Sequence, residues 1–381
     1  MDAVWFTGAI WIGLALLSAL ISIRLAISVA LIEIIVGALA GNLIGLDLTP
    51  WINFLAGFGA ILLTFLAGTE IEMKVLRQHF WPAATIGVIS FLAPYLGCLA
   101  YAHFVAGWTW GEAQIAGIAL STTSVAVVYA VMIETGLNKS EIGKIILAAC
   151  FITDLGTVLA LGIVFANYDM VLALFGAATA GIVALLHRAA PWFFAKVGQR
   201  VSEPQIKFVL LILFGLGGLA VAAGSEAVLP AYLVGMALAP AFLAVPELPH
   251  RLRTITFAIL TPFYFIKAGS LVDFKAVLTS AGLIAIFLGL KMATKFIGIL
   301  PLTRAFKFAP RDGIYTTLLM STGLTFGSIS ALFGLTNHII DQTQYTVLVT
   351  AVIASAVVPT LIAQRWFVPE LKPATKEVQN V

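Results

Sequence analysis

Charge is scarce in this chain. Asp, Glu, Lys and Arg make up 10% of its 381 residues, against about 25% in soluble domains. Too few charges remain to cover a water-facing surface, so the sequence reads as an integral membrane protein. Cysteine is nearly absent as well. Cys98 and Cys150 both fall inside apolar runs, where inert thiols are expected rather than a disulfide framework. There is no polybasic arm: the formal net charge is +3 and the basic residues sit in short loops, which argues against a nucleic-acid partner. The histidines, His79, His103, His187, His250 and His338, stand at span ends or in loops without the spacing of zinc ligands, so intramembrane metalloprotease chemistry has no support. No nucleophile–base pair stands out either, and the chain is read as a non-enzyme without a cofactor. The start of the chain has neither a basic region nor a small-residue cleavage site, so the first apolar run is expected to be a mature helix.

What the chain has instead is hydrophobic length: 61% of its residues are hydrophobic. Apolar runs of about 18–25 residues recur, the length of membrane-spanning helices rather than of outer-membrane strands. The spans read as 4–23, 26–46, 51–71, 82–106, 113–134, 145–166, 169–188, 207–223, 226–244, 255–273, 277–299, 313–335 and 343–367. Seventeen of the 21 basic residues follow odd-numbered spans. The positive-inside rule then places the N-terminus outside and the C-terminus in the cytoplasm.

The pattern repeats about 200 residues further on. Ala67-Gly68-Thr69-Glu70-Ile71-Glu72-Met73-Lys74 corresponds to Ala268-Gly269-Ser270-Leu271-Val272-Asp273-Phe274-Lys275 at an offset of 201. Ser121-Thr122-Thr123-Ser124 corresponds to Ser321-Thr322-Gly323-Leu324 at an offset of 200. Residues 1–166 therefore form one expected repeat and 207–367 the other, with a linker helix and loop at 167–206 and a short tail at 368–381. An odd helix between the units inverts one relative to the other, an architecture used by many secondary transporters. The expected fold is all-α, with about 13 transmembrane helices in two inverted-topology repeats.

Against this background a few polar residues carry the chemistry. Asp154 is the only charged side chain from Ile145 to Ala166. An acid at that depth is costly, and membrane chains that keep one commonly use it to bind a proton or an ion. Burial disfavours a carboxylate and a nearby cation favours it, so one group can serve competing ligands. Thr153 beside it offers a neutral oxygen; the alternative for Asp154 is a structural acid paired with a membrane lysine. Ser121, Thr122, Thr123 and Ser124, and at matching depth Ser321, Thr322 and Gly323, weaken their helices and predict breaks. Ordinary small-residue packing is the alternative for each cluster alone. Lys267 is a candidate charge partner for Asp154, or else snorkels. Lys291 is deep enough to neutralise an acid or a broken helix end, whereas Lys295, one turn on, is expected to snorkel. Glu33 and Glu70 are further membrane acids, Glu70 near a span end.

Together, Ile32-Glu33-Ile34-Ile35-Val36-Gly37-Ala38-Leu39-Ala40-Gly41, Phe65-Leu66-Ala67-Gly68-Thr69-Glu70, the Ser/Thr-rich fifth span and Thr153-Asp154 resemble the monovalent cation:proton antiporter superfamily. The likeness is to its branch of bacterial sodium/proton exchangers and Kef-type potassium-efflux proteins, over about residues 4–367. It implies crossed, discontinuous helices 5 and 12 around the acid of helix 6, a homodimer, and a core that moves against a dimerisation domain. In that family the residue before the acid is commonly Asp, Asn or Gln. Here it is Thr153, which leaves stoichiometry and the choice of cation open. Lys267 matches a family lysine whose usual partner is missing. The nucleotide-binding domain of Kef proteins is not expected either, as the chain ends 14 residues after the last span.

The resulting expectation is exchange of Na+ or K+ for H+ across a bacterial inner membrane. Asp154 would carry proton or cation, and Thr153 with Ser121, Thr122, Thr123 and Ser124 would line the cation. A sodium-coupled organic anion symporter on a similar fold is the alternative. A gated potassium channel is a further one, though the sequence shows no segment like Thr-Val-Gly-Tyr-Gly.

Overall fold

The computed structural model describes residues 2–25, 28–69, 78–137, 140–165, 170–198, 200–223, 227–245 and 247–369. Glu70 lies outside them. The described chain is helical: α1 (Asp2–Leu25), α2 (Val29–Leu43), α3 (Pro50–Thr69), α4 (Phe80–Phe104), α5 (Trp110–Ser121), α6 (Val125–Glu134), α7 (Glu141–Val164), α8 (Met170–Val197) and α9 (Pro204–Ala222). They are followed by α10 (Val228–Ala244), α11 (Glu247–Ile255), a π-helical turn (Thr256–Leu260), α12 (Thr261–Ser270), α13 (Phe274–Thr279), α14 (Ala281–Ala305), α15 (Pro310–Met320), α16 (Thr325–Thr336) and α17 (Gln342–Trp366). Taking α5/α6 and α15/α16 as two interrupted crossings, and α11 to α12 as one, these helices follow the spans read from the sequence. One difference is the tenth span. Its expected start at 255 lies inside helix, because α11 already winds from Glu247 and runs on through the π turn. Arg251 there donates to Glu203 Oε1 at 2.8 Å and to Glu247 Oε2 at 3.3 Å, so charges that read as loop cover the end of a helix.

Helix starts are written locally. Ser140 accepts from the Gly143 amide at the start of α7, and Asp341 forms a capping box with Gln344 at the start of α17. Such caps satisfy amides that have no partner inside the helix. The two caps are 201 positions apart, as are the starts of α4 and α14 at 80 and 281. The repeat is thus kept in helix register as well as in motif.

The same offset organises the packing. α2 packs against α12, and α3, the image of α12, packs against α10, the image of α2. The approach is close enough to require glycine. A Cβ on Gly269 would collide with the Ile34 carbonyl, and one on Gly68, 201 positions earlier, with the Tyr232 carbonyl. Contacts divide the helices into two bundles, α1–α3 with α8–α12, and α4–α7 with α14–α17. Each bundle draws helices from both repeats. The outward faces of α1, α8 and α9 are rich in exposed apolar side chains, among them Trp5, Phe6, Leu174, Leu185 and Leu211, the surface a lipid environment accepts.

Candidate functional site

Two helices stop in the middle of the second bundle. α5 ends at Ser121, and Thr122 continues in an extended conformation (φ −63°, ψ 154°) before α6 begins at Val125. The cause is local: the Ser121 hydroxyl donates to Ile118 O at 2.8 Å and that of Thr122 to Ala119 O at 3.0 Å, so side chains take carbonyls at the end of the helix. The chain repeats this at α15/α16, where Thr322 Oγ1 donates to Leu319 O at 2.8 Å. The two breaks touch. Thr123 Oγ1 donates to Met320 O at 2.9 Å, and the Ser124 amide donates to Thr322 Oγ1 at 3.4 Å.

The crossing is polar and closed. Ser121, Thr122, Thr123, Ser124, Ser321, Thr322, Thr153 and Asp154 are all buried. Thr153 donates to Gly87 O at 3.1 Å and to Ala149 O at 3.0 Å. Its proton thus ties α7 to α4, leaving oxygen lone pairs as its means of meeting a cation.

The lysines separate by position. Lys295, expected to snorkel, is instead fully buried. Its ammonium donates to Ser90 Oγ at 2.7 Å, Ser121 O at 2.9 Å and Thr123 Oγ1 at 3.1 Å, and it lies within electrostatic reach of Asp154. The C-terminal end of α5 carries partial negative charge, which an ammonium complements. Lys291 is equally buried; its Nζ donates to Ser355 Oγ at 3.0 Å and rests against Gly323 in the second break. Sequence reasoning missed Lys295, Ser90 and Ser355. The available signal was the spacing of Lys291 and Lys295, one turn apart on α14, which puts both on the face turned inward.

Lys267 occupies another setting. It is partly buried on α12 and lines a cavity of about 640 Å3, with Asn53, Phe58, Phe214, Tyr264 and Phe333 among its neighbours in that wall. It is the one charged residue among the described lining residues. The cavity lies toward the face at which α3 begins and α9 and α16 end. Glu33 is buried on α2, in the first bundle. The crossing therefore gathers hydroxyls, backbone carbonyls and an ammonium, with a carboxylate within electrostatic reach of that ammonium. That is a donor set for a proton or a hard monovalent cation.

Known proteins share this fold. The chain is similar to the structure of the sodium proton antiporter MjNhaP1 from Methanocaldococcus jannaschii, with a TM-score of 0.72, 14% sequence identity, and 97% of this chain and 99% of that one covered. Among sequence relatives, the probable Na(+)/H(+) antiporter 3 of Methanocaldococcus jannaschii is 26% identical over 88% of both chains. The Na(+)/H(+) antiporter of Enterococcus hirae is 26% identical over 90% of this chain and 92% of its own. The Na(+)/H(+)-K(+) antiporter GerN of Bacillus cereus is 23% identical over 89% of both. Residues 12–368 match the family model described as sodium/hydrogen exchanger, transmembrane, and the chain belongs to that family of multi-pass membrane proteins.

Proposed function

We propose that this protein exchanges Na+ or K+ for H+ by alternating access, with Asp154 as the group that carries either ligand. The observation that carries this reading is the placement of one buried carboxylate, within reach of the Lys295 ammonium, beside the crossing of two broken helices. Thr153, Ser121, Thr122, Thr123 and Ser124 supply neutral oxygens, and Ser321, Thr322 and Gly323 form the opposite wall. Lys295 competes with the cation for Asp154, Lys291 neutralises the end of α15, and Lys267 sets the charge of the cavity. A single acid that holds either ligand gives one-for-one exchange. The bundle of α4–α7 and α14–α17 is the moving part, working against a second bundle through which two copies pair. The repeats run over 1–166 and 207–367. By the positive-inside rule the N-terminus faces outward and the C-terminus the cytoplasm of a bacterial inner membrane.

The deciding experiment is transport in proteoliposomes carrying a pH-sensitive dye. Asp154→Asn is expected to reduce Na+- and K+-dependent proton movement to that of empty vesicles; wild-type exchange by the variant defeats the proposal. A second reading, sodium-coupled uptake of an organic anion, is favoured by Lys267 in its largely apolar cavity. Labelled organic acid uptake driven by Na+ without proton movement would establish that reading instead.

A further inference from the structure

The offset that relates the two halves gives two residues of the site counterparts of opposite chemistry. On α4 and α7 stand Ser90 and Asp154, a hydroxyl and a carboxylate. At 201 positions further on, on α14 and α17, stand Lys291 and Ser355, an ammonium and a hydroxyl. The helices themselves keep this register, α4 and α14 beginning at 80 and 281, and α7 and α17 at 141 and 342.

The second locus is built. Lys291 and Ser355 are fully buried, and the Nζ donates to Ser355 Oγ at 3.0 Å. Ser355 in turn donates to Val352 O at 2.7 Å and lies 3.4 Å from Gly323 O. A Cβ placed on Gly323 would meet the Lys291 Nζ, with Thr122 Oγ1 at 2.9 Å and Ser355 Oγ at 3.2 Å. Three polar atoms thus converge over a glycine that leaves them room. α15 ends at Met320, three residues before that glycine, so the partial negative charge of a helix C-terminus is close by along the chain.

We infer that the Lys291 ammonium is a tethered cation, seated in the counterpart of the locus at which Asp154 takes an exchangeable one. In the first half the protein supplies the anion, and a cation from solution competes there with the Lys295 ammonium that donates to Ser90. In the second half it supplies the cation itself, so the fold holds two cation seats and only one is open. The inference rests on Asp154 being the open seat, and it explains how a fold with internal two-fold symmetry carries one exchangeable ion.

The test uses the full chain in detergent and reads thermal unfolding in chloride salts of ammonium, potassium and choline at equal ionic strength. Lys291→Ala empties the seat. It is expected to melt below wild type and to regain several degrees in ammonium or potassium but not in choline, by preferential binding to the folded state. Because Asp154 can also respond to these ions, the comparison is repeated with Asp154→Asn in both proteins. The ammonium increment of Lys291→Ala is expected to survive there, which separates this inference from the reading of Asp154. Equal ammonium responses of Lys291→Ala and wild type overturn the idea. A second arm measures bound radioactive sodium or rubidium per chain. Lys291→Ala combined with Ser355→Asp recreates an acid without its tethered partner and is expected to double the wild-type value, whereas an unchanged value rejects the inference. Should Lys291→Ala not fold alone, this pair still decides, and Ser355→Asp with Lys291 in place is expected to bind no additional ion.

Discussion

At the scale of single residues, burial separates lysines that look alike in sequence. Lys295 has three acceptors, Ser90 Oγ, Ser121 O and Thr123 Oγ1. Removing it leaves these buried groups without their donor. Lys295→Met is therefore expected to destabilise the protein by about 3 kcal/mol, read as a lower melting temperature in detergent. Lys267, partly buried in a cavity wall, makes none of these bonds. Lys267→Met is expected to stay within about 0.5 kcal/mol of wild type in the same measurement. The contrast also shows what single residues reveal in sequence. Asp154 announces itself because nothing else in its run is charged. Ser90 and Ser355 do not, since a hydroxyl in an apolar helix is common and becomes informative only at its offset from Lys291 and Asp154. Lys295 was hidden by its distance from the centre of its span, a rule that counts residues along a helix and not the faces it presents.

At the scale of elements, what decides is where backbone meets backbone. The two breaks were legible because hydroxyl clusters and Gly323 disfavour helix at matched positions in both halves. The packing of α2 on α12 and of α3 on α10 was not, because a glycine in a membrane helix serves many ends. Gly269→Ala drives a methyl group into the Ile34 carbonyl, a backbone atom that no rotamer change can move. It is expected to cost more than about 2 kcal/mol and to lower the folded yield. Gly176→Ala on α8 meets nothing within 4 Å; it is expected to be neutral or to stabilise by about 0.5 kcal/mol through helix propensity. Melting curves of the two variants, compared with wild type, check both values. The π turn at Thr256–Leu260 lay beyond sequence reading. Its neighbour α11 looked like loop because Arg251 and Arg253 read as topology signals, while the ion pair of Arg251 with Glu203 is visible only in three dimensions.

At the scale of the whole molecule, the halves of the sequence and the halves of the structure are different partitions. Helix number, the inverted repeat and the crossing followed from hydrophobic length, the basic-residue bias and one offset. The two bundles did not, since neither corresponds to a continuous stretch of chain. α4–α7 close against α14–α17, and α1–α3 close against α8–α12. The consequence can be put in terms of assembly. Each half of the chain is an unfinished object whose inward faces find their complements in the other half. The loop between α8 and α9 carries a fully exposed Val201 and is a place where a break in the chain is tolerated. Two fragments divided there are expected to restore cation-dependent proton movement in proteoliposomes when produced together, and neither to fold when produced alone. The polypeptide is then a heterodimer whose two subunits are joined by a dispensable link.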